Sequence, residues 1–235
     1  MKEAPSLGQI LADLDLKALL GSLAGSLASV AGDLGIIVVY VIFMIVEKEA
    51  FERKLAVLLP SGGRRERAAE VASRIQVRIR KYVLIKTFAS AIVGVLSYAV
   101  LFFAGVDYPF FWSFLIFLLN FIPTVGALAG VALPALLALV QFGATAPFFA
   151  AVAGLVAVQF ATGSFLEPKL LGDSLNISPL VVIVSLALWG KLWGVTGMFL
   201  CVPLTVIMMI IFAHFERTRP IAVVLSQDGR ISDAD

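Results

Sequence analysis

Long uncharged apolar runs, interrupted by short polar or helix-breaking stretches, organise most of this chain. Residues 108–166 contain no Asp, Glu, Lys, Arg or His, and residues 192–213 are likewise uncharged. A bilayer core about 30 Å thick takes about 20 apolar residues to cross as a helix, so these runs predict transmembrane helices. Residues 87–106 supply one full crossing. Residues 110–122 are short and end at Pro123-Thr124-Val125-Gly126. Residues 127–142 follow with Pro134 inside, residues 143–147 turn the chain, and residues 148–166 span again. After a polar stretch, residues 180–189 form a short run, Gly190-Lys191 turns it, and residues 192–212 close the apolar part with Gly194, Gly197 and Pro203 inside. The predicted class is all-α, a polytopic transmembrane helical protein with broken or re-entrant helices, because freed backbone groups at such breaks survive only inside protein or along a wet cavity.

The first third reads differently. Apolar residues at three- and four-residue spacing from Leu7 to Val30 predict an amphipathic helix, and Gly21, Gly25 and Gly32 with Ser22, Ser26 and Ser29 would let another helix approach closely. Residues 1–33 thus form an amphipathic N-terminal segment. Residues 34–46 are a first span that either begins before 34 to complete a crossing or is unusually short, with Asp33 at its mouth. Residues 47–86 hold eleven of the eighteen Lys and Arg against five Glu, which makes this loop cytoplasmic by the positive-inside rule. Pro60-Ser61-Gly62-Gly63 divides it. In its second half Val71, Ile75, Ile79 and Val83 line one face, while Arg64, Arg65, Arg67, Arg74, Arg78, Arg80 and Lys81 can meet anionic lipid headgroups. Residues 87–213 form the bundle. Asp107 sits in an external turn with Tyr108 and Trp112 as interfacial anchors. Parity then returns the chain to the cytoplasm at His214, by five crossings or by three plus a re-entrant hairpin over residues 110–141, leaving 214–235 as a cytoplasmic tail.

Composition fixes the solvent. Hydrophobic residues make up 60%, charged residues 14%, and mean hydropathy is +1.01, against about 25% charged in soluble domains. The net charge of +2 is too small to define a partner. Beside membrane spans, the basic run reads as a lipid-facing collar rather than a nucleic-acid site. Cys201 is alone, which excludes an internal disulfide, and residues 1–20 hold no compact apolar core of a signal peptide. His214 is the one histidine, so neither a catalytic triad nor a histidine-based metal site can be assembled. No P-loop is present. The expectation is a non-enzymatic protein without cofactor or metal.

Charge scarcity locates the candidate chemistry. The stretch FLEPKLLGDSLNISP, residues 165–179, places Glu167, Lys169 and Asp173 among apolar spans, where a charge costs about 3 kcal/mol or more unless paired, hydrated or interfacial. Glu167 can take up and release a proton, and Lys169 can pair with Asp173 or an anionic substrate. An interfacial position as topology anchors is the plainer alternative for all three. Asn120, Gln141, Gln159 and Thr162 can line a path or serve as interhelical glue. Gly126 with Pro134, and Gly197 with Pro203, repeat a glycine-then-proline order in two apolar spans, an echo of the repeats common in transporters.

Asn120-Phe121-Ile122-Pro123-Thr124-Val125-Gly126, then Pro134, then Glu167-Pro168-Lys169-Leu170-Leu171-Gly172 with Leu175, Ile177, Ser178 and Pro179, then Gly194, Gly197 and Pro203, resemble the autoinducer-2 exporter family of bacterial transporters. The likeness runs from about Asp33 to Leu225. It implies a multi-pass carrier of the bacterial inner membrane, associated with export of autoinducer-2 or with sodium or proton antiport, acting on a small-molecule or ion substrate and forming homo-oligomers. Family members carry two further spans before a segment like residues 1–33, so the chain resembles their C-terminal two-thirds. The competing reading is a truncated, non-transporting protein that packs with other helical subunits.

Overall fold

The computed structural model describes Phe43, Glu47, residues 64–171 and residues 176–229; the expectations for residues 1–33, the rest of 34–63 and the end of the tail lie outside the described residues. The chain divides into Met1–Arg67 and Ala68–Asp235, and the architecture below is that of the second unit. Among the described residues four helices are long and apolar enough to cross a membrane.

Helix α1 (Arg64–Ala104) runs unbroken for 41 residues, about 62 Å at 1.5 Å per residue, about twice the hydrocarbon thickness. The second half of the basic segment and the span expected from residue 87 are therefore one continuous helix, with nothing from Arg64 onward interrupting its ladder. Its buried face runs through Tyr82, Lys86, Ala89, Ser90, Val93, Ser97 and Leu101. Val83, assigned from sequence to the apolar face of Val71, Ile75 and Ile79, is exposed. A strict four-residue step drifts about 40° per step on a 3.6-residue helix, so the stripe passes from Ile79 to Tyr82 instead.

Gly105 at φ 75 and Tyr108 at φ 56 reverse the chain after α1. Helix α2 (Pro109–Leu119) starts on a proline, whose missing N–H is no loss at a helix start. It spans about 17 Å and cannot cross alone. A turn at residues 120–124 leads into α3 (Val125–Phe142). Gln141, near the end of α3, reaches back to the start of α2: its Nε2 donates to the Gly105 carbonyl at 3.0 Å and its Oε1 accepts from the Asp107 N–H at 2.9 Å. Helices α2 and α3 thus form a helical hairpin, hairpin A, whose two ends lie together beside the C-terminus of α1.

Helix α4 (Ala146–Ala161) runs back along α1, widens into a π-helical turn at Thr162–Leu166 and continues as α5 (Glu167–Leu171). Glu167-Pro168, expected to lie in a break, is thus helical. The wide turn explains how: the Glu167 N–H bonds the Thr162 carbonyl five residues back, which shifts the ladder just where Pro168 has no N–H to offer. Helix α6 (Pro179–His214) reverses sharply at Trp193 and Gly194, the latter at φ 61, ψ −139. The expected turn at Gly190-Lys191 falls instead three residues later, where a glycine can take that conformation. The two arms form hairpin B. Short α7 (Arg219–Leu225) closes its base: the Ser178 N–H bonds the Leu225 carbonyl at 3.1 Å, and Ile177 bridges Ser226. Core residues Leu186, Cys201, Val202, Val206, Met209 and Ile210 of this hairpin cluster with Tyr82 and Ile122, with Val71, Ile75 and Ile79 packed alongside.

The glycine echo in the sequence has a shared structural meaning. A Cβ on Gly126 would stand 1.8 Å from the Leu119 carbonyl oxygen, and one on Gly197 would stand 1.9 Å from that of Trp189. Each glycine is the point where the returning arm of a hairpin crosses the backbone of the outgoing arm. Pro134 and Pro203 lie farther along the returning arms, inside helices that stay continuous around them.

Candidate functional site

The tip of hairpin A, the π-helical turn and the middle of α1 meet at one polar cluster. Lys86 Nζ donates to Glu167 Oε1 at 2.6 Å. Asn120 Nδ2 donates to Ser90 Oγ at 3.0 Å and lies 3.5 Å from the same carboxylate oxygen. The Lys86 side chain is 8% exposed and that of Glu167 21%. A lysine and a carboxylate so far from water persist because each neutralises the other and the amide supports the acceptor. Ser90 and Lys86 lie about 21 and 27 Å along the helix axis from Ala104, so the cluster sits toward the far end of a bilayer-sized span from the Gly105–Tyr108 turn.

Hairpin B completes the surroundings. Cys201 is fully buried beside Ser185 and within electrostatic reach of Lys86, and Tyr82 faces Cys201 and Glu167. Phe121, at the tip of hairpin A, stacks on Phe199 of hairpin B with ring centroids 4.9 Å apart. Hairpin A has its ends by the C-terminus of α1, while hairpin B shares its core with the N-terminal half of α1. The two hairpins therefore enter from opposite ends and meet near the ion pair. That opposed arrangement of broken helices is the architecture of many carrier binding sites.

The model of the AI-2E family transporter matches residues 5–217. The chain belongs to the AI-2E transporter family. Among curated relatives, the AI-2 transport protein TqsA of Escherichia coli (strain K12) is 32% identical over 211 residues, 88% of this chain and 59% of TqsA. YhhT of Escherichia coli (strain K12) is 32% identical over 190 residues, 80% of this chain and 52% of YhhT. YrrI of Bacillus subtilis (strain 168) is 27% identical over 179 residues, 76% of this chain and 50% of YrrI. The chain spans between half and three-fifths of the length of these relatives.

In this AI-2E family member, the residues singled out from sequence are partly gathered and partly dispersed. Glu167 and Asn120 share the cluster. Lys169 is exposed on α5, and Gly172 and Asp173 lie outside the described residues. Gln159 is on α4, about two turns before Glu167, with its Nε2 buried and unpartnered among the described residues. Thr162 donates back to the Val158 carbonyl at 2.8 Å, so its hydroxyl is engaged within its own helix. Pro123 lies in the tip of hairpin A, Pro179 opens hairpin B, and Gly194 makes its reversal.

Along the basic face, Arg74 pairs with Glu70 at 2.8 Å, Arg78 is half-buried, and Arg80 and Lys81 are exposed. Arg64, Arg65 and Arg67 belong to the first turn of α1. Trp112, expected at the interface, is buried in the bundle at 7% exposure, whereas Tyr108 is exposed. Helix α2 turns Trp112 inward because Ser113, Leu115 and Ile116 share its buried face.

Lys86 is the residue that sequence reasoning missed. It closes a basic run and reads locally as one more interfacial cation. A signal was present: it stands one helical turn before Ser90 and one after Tyr82, on a stripe that continues into an uncharged span.

Proposed function

We propose that this chain forms the core of a gradient-driven secondary transporter working by alternating access, with the Lys86–Glu167–Asn120 cluster as its gated polar site. One observation supports the reading: the buried ion pair lies where the tip of hairpin A meets the arms of the opposed hairpin B. Opening either hairpin exposes the pair to one side. A solute or coupling ion that engages Glu167 or Lys86 competes with the partner charge, and that exchange couples occupancy to hairpin position. Helix ends at the tips supply further partial charges. Glu167 carries the coupling proton, and the substrate is a small solute or signalling molecule of the autoinducer-2 kind, exported, or a sodium ion exchanged for protons. The protein sits in the bacterial inner membrane as a homo-oligomer, with the basic stretch of α1 and the C-terminus cytoplasmic.

The test is flux in proteoliposomes, with sodium, proton and autoinducer-2 gradients compared side by side for the wild-type chain, Glu167→Gln and Lys86→Met. Wild-type flux under one gradient, lowered at least tenfold by either change, is expected. If Glu167→Gln leaves rate and pH dependence unchanged, the proton role is wrong. Folded wild-type protein that carries no flux under any gradient favours the non-transporting interaction protein. Labelling a Lys169→Cys thiol only from the outside would overturn the orientation.

A further inference from the structure

Three buried polar atoms find no hydrogen-bond partner among the described residues: Ser97 Oγ, Trp112 Nε1 and Gln159 Nε2. Buried polar groups in native proteins are paired with protein or ordered water in the great majority of cases, so an unpaired one asks for a reason. These three are on three different helices, α1, α2 and α4.

Helix register brings them to one level. Helices α1 and α2 are antiparallel, with Ser90 against Asn120 and Gly94 against Ser113 and Phe117, which sets Trp112 opposite the turn of α1 that holds Ser97. Helices α1 and α4 are antiparallel too, fixed by Lys86 against Glu167 and by Gly154 against Val100, which sets Gln159 opposite Gly94. Gly130 of α3 joins the same level: a Cβ there would lie 3.2 Å from Gln159 Nε2 and 3.5 Å from Ile116. All three residues fall within about one helical turn, a layer roughly 6–12 Å from Ser90 toward the Gly105–Tyr108 turn. Ser97 is fully buried and Trp112 nearly so.

Their chemistry points to an occupant. The indole N–H can only donate, an amide NH₂ donates, and a hydroxyl does either. A cation would meet N–H dipoles of the wrong sign, whereas an oxygen with lone pairs would satisfy all three. We propose that Ser97, Trp112 and Gln159 form a second station, between the hairpin-tip cluster and the C-terminal end of α1, that binds a hydrogen-bond-accepting oxygen of water or of a passing solute. Its role in passage rests on the transporter reading; its occupancy does not.

Ser97→Ala with Gln159→Leu removes two of the three groups that hold the oxygen and is expected to lower solute flux of the order of tenfold. Occupancy is read in the full chain labelled with 5-fluorotryptophan, with the Trp112 ¹⁹F resonance assigned by its loss in Trp112→Phe. A shift of that resonance on exchanging H₂O for D₂O, abolished in the double variant, supports the station. With that shift, unchanged flux assigns the oxygen to water alone, and lowered flux assigns it to the solute as well. A Trp112 resonance indifferent to D₂O overturns the proposal whatever the flux does, and a wild-type chain without flux leaves this spectroscopic result standing.

Discussion

Breaking the Lys86–Glu167 pair from either side should destabilise the fold unequally. Removing one partner of a buried ion pair costs about 3–5 kcal/mol, because the other charge is left without compensation. The two remaining charges differ in their access to water: Glu167 keeps 21% side-chain exposure and Lys86 only 8%. Lys86→Met strands the better-hydrated carboxylate and belongs near 3 kcal/mol, whereas Glu167→Gln strands the drier ammonium and belongs nearer 5 kcal/mol. At about 2–4 °C per kcal/mol for a chain of this size, the losses in Tm are about 6–12 °C and 10–20 °C. The double variant Lys86→Met/Glu167→Gln leaves no stranded charge and should cost no more than about 2 kcal/mol, which is a coupling of about 6 kcal/mol in the double-mutant cycle. Thermal unfolding of the four purified proteins in one detergent is the assay. Single variants within 2 °C of wild type, or a double variant equal to the sum of the singles, would refute the argument that burial makes this pair interdependent.

Gly126→Ala and Gly197→Ala place a methyl inside a backbone carbonyl and should each cost more than about 2 kcal/mol, whereas a Cβ at Gly163 meets nothing within 4 Å and Gly163→Ala should stay within about 0.5 kcal/mol; unfolding temperatures decide, and a tolerated Gly126→Ala would discount the crossing geometry. A double-mutant cycle of Phe121→Leu and Phe199→Leu should return a coupling of about 0.5–1.5 kcal/mol for stacked rings, and a coupling of zero would mean that the tip of hairpin A does not lean on hairpin B.

Much of this molecule is legible where the signal is local. Missing charge over residues 108–166 marks the bundle, Pro123 and Gly126 mark the first hairpin tip, and the isolation of Glu167 among apolar residues singles out one half of the ion pair. The re-entrant alternative for residues 110–141 could be written down from length alone, since the run 110–122 is too short to cross as a helix. Partnership was not legible. Lys86 and Glu167 are 81 positions apart, and the stripe from Tyr82 to Ser90 turns Lys86 toward the bundle without naming what it meets there. The direction of a helix face was equally hidden at Trp112, because an indole suits both an interface and a core. The π-helical turn escaped because five extra-wide residues leave the apolar period almost unchanged, so Pro168 read as a breaker when the ladder had already shifted to accommodate it.

The spacing of the ion pair also sets an order of events in the making of the protein. Lys86 leaves the ribosome 81 residues before Glu167, an interval of about 4–16 s at 5–20 residues per second. Through that interval α1 has a lysine and no counter-charge, and a long aliphatic stem lets such an ammonium wait at the interface with its head in water. The Lys86 ammonium therefore meets its partner only after α2, α3 and α4 have been made, when α5 delivers the carboxylate.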